Sequence, residues 1–150
     1  MLVALLFMSV LAPPAAAPAA APMPGATQTP AAAMDYLVRT LPNVKTFDAW
    51  QNGWREAPLD RAKFKDMCEL RTGAPFVKVY SDFGDHHDAP ARQNFVLDFS
   101  GVSAIGQNGT RVGYKVAGEP NIIMGFTARD EETARGIAVA LDTMRKACTA

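Results

Sequence analysis

The second half of the chain has a regular pattern of apolar and polar positions that predicts strands followed by a helix. From Phe95 onward, large apolar residues fall at every second position in short runs separated by turn-forming residues, which is typical of half-buried strands. From Ala134 to Cys148 the spacing changes to three and four, which predicts an amphipathic helix. We therefore expect a small antiparallel meander covered by a C-terminal helix.

Two turns are predicted to set the register of this meander. A two-residue turn at Asn108-Gly109 makes Ile105 oppose Val112. A second turn through residues 118–121 pairs Val112 with Phe126. One face of the strands then collects the large apolar side chains, which we predict to be buried: Phe95, Leu97, Phe99, Ile105, Val112, Tyr114, Val116, Ile122, Met124 and Phe126.

The final helix has the expected signals at its start and along one side. Thr127 and Asp130 resemble a capping box, and acidic residues at 130–132 suit the positive end of a helix dipole. Its predicted buried stripe consists of Ala134, Ile137, Ala138, Leu141, Met144 and Cys148. This stripe needs a surface to cover, and the apolar face of the meander provides one.

The first half of the folded region favours helices. Met34–Leu41 has helical apolar spacing and ends before a proline. Thr46 is predicted to cap a helix with Phe47, Trp50 and Trp54 on one face, and Asp60 to cap another with Phe64, Met67 and Cys68 on its apolar side. An extended conformation is the alternative for the segment after Asp60. The sequence thus predicts an α+β fold with N-terminal helical segments.

The segment between these halves reads as a strand followed by a loop. Phe76–Phe83 is rich in β-branched and aromatic residues and follows a Gly-Ala-Pro turn signal, so we predict a strand. Residues 85–92 are predicted to be a polar loop.

The N-terminal region resembles an export signal. No charged residue precedes Asp35, and Leu2–Leu11 is an apolar run too short to span a bilayer but suited to a secretory signal. We predict a signal peptide over residues 1–19, a disordered Pro/Ala-rich linker over residues 20–33 and one globular domain over residues 34–150. The alternatives are a buried helix over residues 2–12 and an N-terminal membrane anchor that is not cleaved.

The two cysteines are predicted to form a disulfide. Export places Cys68 and Cys148 in an oxidising compartment. The bond would tie the final helix to the segment around Cys68. Two free buried thiols are the alternative.

Composition excludes some classes of partner. The 15 Lys and Arg balance the 15 Asp and Glu, so the chain lacks the basic footprint of a nucleic-acid-binding protein. After the leader no apolar run reaches the length of a membrane span. We expect a periplasmic or secreted protein whose partner is a cell-envelope component or a small ligand.

One loop and one aromatic pair are candidate sites. Carboxylates and imidazoles are suitable metal ligands, which makes Asp85, His86, His87 and Asp88 candidates, although their spacing misses the EF-hand pattern. A solvated loop is the alternative. Trp50 and Trp54 are candidates for an exposed platform that binds sugar or peptide, and burial in the core is their alternative.

These features favour a binding function. The sequence has no nucleophile elbow, Walker A motif or dinucleotide fingerprint. We therefore expect an exported, non-catalytic binding or envelope-associated module without a cofactor. The alternatives are a metal-binding protein or metal-dependent hydrolase that uses residues 82–88, and a carrier of a small apolar ligand in a cavity beneath the last helix.

Overall fold

The chain adopts the predicted α+β class. A computed structural model describes residues 27–81, 86–89 and 91–149. The predicted signal peptide lies outside these residues, as does the linker up to residue 26. The described helices are α1 (Pro30–Thr40) and α2 (Glu131–Thr149). The described strands are β1 (Lys45–Trp50), β2 (Gly53–Pro58), β3 (Arg61–Asp66), β4 (Glu69–Ala74), β5 (Val77–Ser81), β6 (His86–Ala89), β7 (Gln93–Asp98), β8 (Val102–Asn108), β9 (Arg111–Val116) and β10 (Ile123–Thr127).

The strands form two antiparallel sheets. The large sheet has the order β6-β5-β2-β1-β10-β9-β8, and the small sheet has the order β3-β4-β7. Helix α2 packs against β8, β9 and α1, while α1 also contacts β3. Buried residues from both sheets and both helices join in one apolar core.

The predicted pairing of the last two strands is confirmed. Val112 pairs with Phe126, and Tyr114 pairs with Met124. Val112 and Phe126 are buried, and so is Tyr114. The apolar face of these strands therefore faces the core, as the alternating pattern predicted.

The preceding hairpin differs from the prediction by two residues. Asn108 pairs with Arg111, so the turn is Gly109-Thr110, and Ile105 opposes Tyr114 rather than Val112. Gly109 has a φ of 59°, a left-handed conformation that glycine adopts without a Cβ penalty. Because side chains alternate with a period of two, a shift of two residues leaves the predicted faces unchanged.

Strand β7 was wrongly predicted to belong to this meander. It pairs with β4 in the small sheet, where Leu97 opposes Leu70. A 3-10 turn over Phe99–Gly101 separates β7 from β8, so the chain changes sheets there. Leu97 and Phe99 are nevertheless buried, because both sheets contribute to the same core.

Helix α2 covers the sheet as predicted, but its cap differs. Thr127 is the last residue of β10, so the predicted capping box is wrong. Asp130 caps the helix instead: its Oδ1 accepts the backbone N–H of Thr133 at 2.7 Å. This backbone hydrogen bond is the main reason that the pKa of Asp130 is lowered. The buried residues of the helix are Ala134, Gly136, Ile137, Ala140, Leu141 and Met144.

Two predicted helices in the first half are wrong. The segment after Thr46 is the β1–β2 hairpin, in which Trp50 pairs with Gly53 around a two-residue turn. Thr46 caps no helix; its hydroxyl donates to the carbonyl of Gly125 at 3.1 Å. The segment after Asp60 is the β3–β4 hairpin, which agrees with the extended alternative.

The predictions for the N-terminus and for residues 76–92 need smaller corrections. The helix predicted over residues 34–41 exists but begins at Pro30. Residues 30–33, which the prediction assigned to the disordered linker, form its first turn, and Ala33 is buried. The strand predicted over residues 76–83 is confirmed for Val77–Ser81, which form β5, while residues 82 and 83 lie outside the described residues. The segment at 85–92, predicted to be a loop, contains β6, which pairs with β5.

Candidate functional site

The predicted disulfide is present and joins the C-terminal helix to the β3–β4 hairpin. The sulfurs of Cys68 and Cys148 are 2.10 Å apart and their Cα atoms 5.7 Å apart. A carboxylate oxygen of Asp66 accepts the backbone N–H groups of Cys68 and Glu69, each at 2.9 Å. This side-chain turn fixes Cys68 at the tip of the β3–β4 hairpin. The bond thus anchors the last turns of α2 to the small sheet.

The predicted metal ligands cannot be placed from the described side chains. Asp85 lies outside the described residues, and for His86, His87 and Asp88 only the backbone is described. In the backbone of β6, His86 pairs with Tyr80 and His87 with Val79. Among the described side chains, no group of three or more His, Cys, Asp or Glu residues is arranged to hold a metal ion. Metal binding at residues 82–88 stays a prediction.

Trp50 and Trp54 lie on a strand hairpin and not on a helix face. Trp50 pairs with Gly53, while Trp54 pairs with Ala49, so the two indoles lie on opposite faces of the sheet. Both are more than a third exposed, which contradicts the alternative of burial in the core. The Trp54 ring stacks on Tyr80, with ring centroids 4.7 Å apart. The two tryptophans therefore do not form one shared platform.

A cavity of about 260 Å³ lies between the large sheet and β7. Its walls come from the core-facing side of β1, β2, β9 and β10, from β5 and from the middle of β7. The lining residues are Thr46, Phe47, Asp48, Arg55, Glu56, Ala57, Val77, Asn94, Phe95, Val96, Tyr114 and Met124. We refer to this space as the inter-sheet cavity.

One wall of the inter-sheet cavity carries an ion pair. Asp48 and Arg55 face each other across the β1–β2 hairpin, and the Nε of Arg55 lies 3.0 Å from the Asp48 carboxylate while a second guanidinium nitrogen contacts its other oxygen. This hydrogen bonding raises the pKa of Arg55. A two-point contact of this kind holds both groups in a defined orientation, and leaves further guanidinium N–H groups to contact a ligand.

Tyr114 adds a neutral hydroxyl to the same wall. Burial, and to a smaller extent the charge of Asp48, raises the pKa of Tyr114. The phenol therefore stays protonated at any physiological pH and remains able to donate a hydrogen bond. Its ring packs against Phe126, with centroids 6.0 Å apart, which limits its movement.

The rest of the inter-sheet cavity is mostly apolar. Ala57 and Val77 are buried in its floor, Met124 is half-buried, and Val96 is 62% exposed at its rim. Small-molecule sites combine apolar walls with a few oriented polar groups, and usually measure ~300–1,000 Å³. The inter-sheet cavity has that chemistry and lies just below the lower end of that size range.

This cavity is not where the apolar-carrier hypothesis expected one. The face of α2 toward the core is filled by buried residues, among them Ile137, Leu141 and Met144. A groove of about 820 Å³ lies between β8 and α2, and its lining combines the apolar Ile105 and Val139 with the charged Asp142. An apolar-ligand carrier stays an untested alternative.

Sequence reasoning missed the polar wall of the cavity. Asp48 and Arg55 become neighbours only because the chain reverses at Gln51-Asn52, whereas the helix prediction ran through this point. The signal that could have revealed the turn is Asn52-Gly53, because both residue types favour turns. A turn at this position brings positions 48 and 55 together across two strands.

The helices of the described residues include none long and apolar enough to cross a membrane. Comparisons of the chain with protein-family models, with curated proteins and with solved structures give no match.

Proposed function

We propose that the chain is an exported, non-catalytic binding domain whose ligand occupies the inter-sheet cavity. The observation that carries this proposal is the convergence of the Asp48–Arg55 ion pair and the Tyr114 hydroxyl on a space with an apolar floor. An apolar body would fill the floor, and a polar end would meet the ion pair. The ligand class that fits is a small amphipathic group, free or part of a larger molecule.

Export is supported by two independent features. The uncharged N-terminal region has the apolar run and the small residues of a secretory signal. The Cys68–Cys148 bond belongs to the oxidising compartments outside the cytosol. A disulfide suits a protein that must keep its fold there without cellular chaperones.

A binding role rather than catalysis is supported by the state of the polar groups. Asp48 and Arg55 already satisfy each other, and Thr46 donates to a backbone carbonyl. Tyr114 is held neutral, far from the poised pKa that general acid–base catalysis uses. Such groups orient a ligand but are not prepared to transfer its protons.

The proposal is tested by titrating the oxidised protein with small amphipathic probes. We would use p-cresol and indole, each of which has an apolar body and one hydrogen-bonding group, and follow backbone amide shifts by NMR. Saturable shifts confined to the strands that line the cavity, β1, β2, β5, β7, β9 and β10, are expected. The dissociation constant should be on the order of 1 mM, which is about 4 kcal/mol and reasonable for ligands of this size.

Filling the cavity supplies the control. Ala57→Leu adds three carbons to the cavity floor and should weaken probe binding at least tenfold, and Met124→Phe provides a second filling variant. Ala104→Leu makes the same change at an exposed position of β8 and should leave binding unchanged. No saturable binding, or equal binding by the Ala57 and Ala104 variants, would exclude the inter-sheet cavity as the site.

A further inference from the structure

The free edge of β7 is regular and unprotected. The small sheet ends at β7, and no strand in the described part of the chain pairs with its outer edge. Its six residues pair with β4 without any irregularity, and they include neither proline nor lysine. An exposed edge of this kind presents backbone N–H and C=O groups to another strand.

Two other edge strands of this fold carry the protection that β7 lacks. Strand β3 has an irregularity between Phe64 and Asp66 and packs against α1. Strand β8 has an irregularity between Val102 and Ala104. Bulges at sheet edges discourage the addition of further strands. Their absence from β7 suits an edge that accepts a partner.

Both faces beside this edge are concave. The inter-sheet cavity lies on the core-facing side of β7, and a groove of about 410 Å³ lies on the outer side of the small sheet. We call the latter the outer groove. Asn94, Phe95 and Val96 line both spaces. A strand that paired with β7 would send alternate side chains toward the two spaces, because successive residues of a strand point to opposite faces.

The outer groove is positively charged. Lys63 and Arg71 are directly opposed across β3 and β4, and like charges in this position destabilise a sheet. Arg71 contacts Glu69 at 2.7 Å, whereas no carboxylate of the described residues lies within ion-pair distance of Lys63. Both residues line the outer groove. An acidic side chain in this groove would relieve the repulsion.

A third cation is held beside the edge strand. The side chain of Arg61 lies across Gly73, where a Cβ atom would overlap it, and donates a hydrogen bond to Asn94 of β7. Glycine at this position thus leaves room for a guanidinium to reach the edge. The cations of the outer groove come from β3 and β4, and Arg61 brings its charge to β7.

We propose that an extended peptide of a partner protein adds as a strand to the free edge of β7, with amphipathic side chains such as tyrosine in the inter-sheet cavity and acidic side chains in the outer groove. This inference rests on the proposed function, since it identifies the group in the cavity as a peptide side chain. Backbone hydrogen bonds to β7 provide affinity, and the two spaces select the side chains.

The test uses a blocked, fluorescein-labelled heptapeptide that alternates tyrosine and glutamate, measured by anisotropy with the full oxidised protein. We expect saturable binding that weakens as salt increases and is at least tenfold tighter than binding of the tyrosine–lysine peptide. Only every second backbone N–H of an added strand faces β7. Methylating that alternate set of nitrogens should therefore abolish binding, whereas methylating the other set should leave binding unchanged. Equal binding of the lysine peptide, or no effect of either methylated set, would overturn strand addition.

A matched pair of charge reversals tests the groove. Lys63→Glu should weaken binding of the glutamate peptide at least fivefold. Lys115→Glu makes the same charge change at an exposed position of β9 and should have no effect. Equal effects of the two reversals would overturn the role of the outer groove. Sedimentation of the protein alone provides a further check, since a dimer that the peptide disrupts would assign the edge to a second copy of this chain.

The two proposals fail in different ways. If p-cresol binds the inter-sheet cavity but the glutamate peptide does not bind, strand addition is overturned and the proposed function stands. If neither probe binds, the proposed function is overturned as well.

Discussion

Removing the disulfide should cost this fold a large part of its stability. Replacing both Cys68 and Cys148 by alanine frees a loop that spans a sequence separation of 80 residues. In the chain-entropy description, closing a loop of that length in the unfolded state contributes about 4.5 kcal/mol at 25 °C. The loss is a large share of the ~5–15 kcal/mol that stabilises a typical domain.

The measurement is urea unfolding of the oxidised protein and of the double-alanine variant, followed by circular dichroism and tryptophan fluorescence. The unfolding free energy should fall by about 3–4.5 kcal/mol, and the melting temperature by more than about 10 °C. The reduced wild-type protein is the control, because it loses the same bond while keeping both side chains. A loss below ~1 kcal/mol in both proteins would refute the reasoning, since the bond would then restrain little of the unfolded chain.

Three further perturbations have definite expected outcomes. Leu141→Ala truncates a side chain that is 1% exposed and should lower the unfolding free energy by about 2–5 kcal/mol. The control, Arg135→Ala at an exposed position of the same helix, should lower it by less than ~0.5 kcal/mol. Equal losses would show that α2 does not seal the core. Gly125→Ala should cost at least about 1–3 kcal/mol, because its Cβ would overlap the carbonyl of Val112, whereas Gly106→Ala, with no atom within 4 Å of the added Cβ, should unfold at an unchanged urea concentration. The pKa of Asp130 is lowered in the folded state, so its carboxylate stabilises the fold above the unfolded pKa of ~3.9, and this contribution is lost as the pH falls further. Asp130→Asn keeps a capping oxygen and should reduce the fall in melting temperature between about pH 5 and 2. An unchanged dependence of melting temperature on pH would argue against the cap.

The confirmed predictions are those that depend on the alternation of side chains between the two faces of a strand. In β9 and β10, large apolar residues recur at every second position, as in Val112, Tyr114 and Val116, so one of the two faces had to be buried. An error of two residues in the β8–β9 pairing did not alter which side chains face the core. The stripe along α2 held for a similar reason, since a helical spacing repeated over 19 residues has few alternative interpretations.

The wrong predictions concern short segments whose apolar spacing fits both a helix and a strand hairpin. Phe47, Trp50 and Trp54 are spaced by three and four, which is the spacing of a helix face. The two-residue turn after Trp50 produces the same spacing in a hairpin, where Trp50 and Trp54 end on opposite faces. The decision between helix and hairpin comes from distant contacts, such as the pairing of β1 with β10, and no local pattern reports these contacts.

The candidate site was less predictable than the fold because it is assembled from such contacts. The inter-sheet cavity exists because β7 joins the small sheet and stands opposite the inner face of the large one. The alternating pattern of β7 is compatible with either sheet, so the sequence alone does not decide between them. The prediction that β7 belongs to the meander was wrong. Asp48, Arg55 and Tyr114 each resemble an ordinary residue of a strand until the strands are placed.

The central position of β1 and β10 has a consequence for how the protein reaches its native state. These neighbours in the sheet come from opposite ends of the domain, as shown by the hydrogen bond from Thr46 to Gly125, 79 residues further along the chain. Hairpins such as β1–β2 and β8–β9 are able to form early, but the sheet they belong to stays in two halves until β10 emerges and bridges them. Since contacts of such long range slow folding, completion of the large sheet is a late step. A chain truncated before β10 would leave two unpaired strand edges, which favour aggregation.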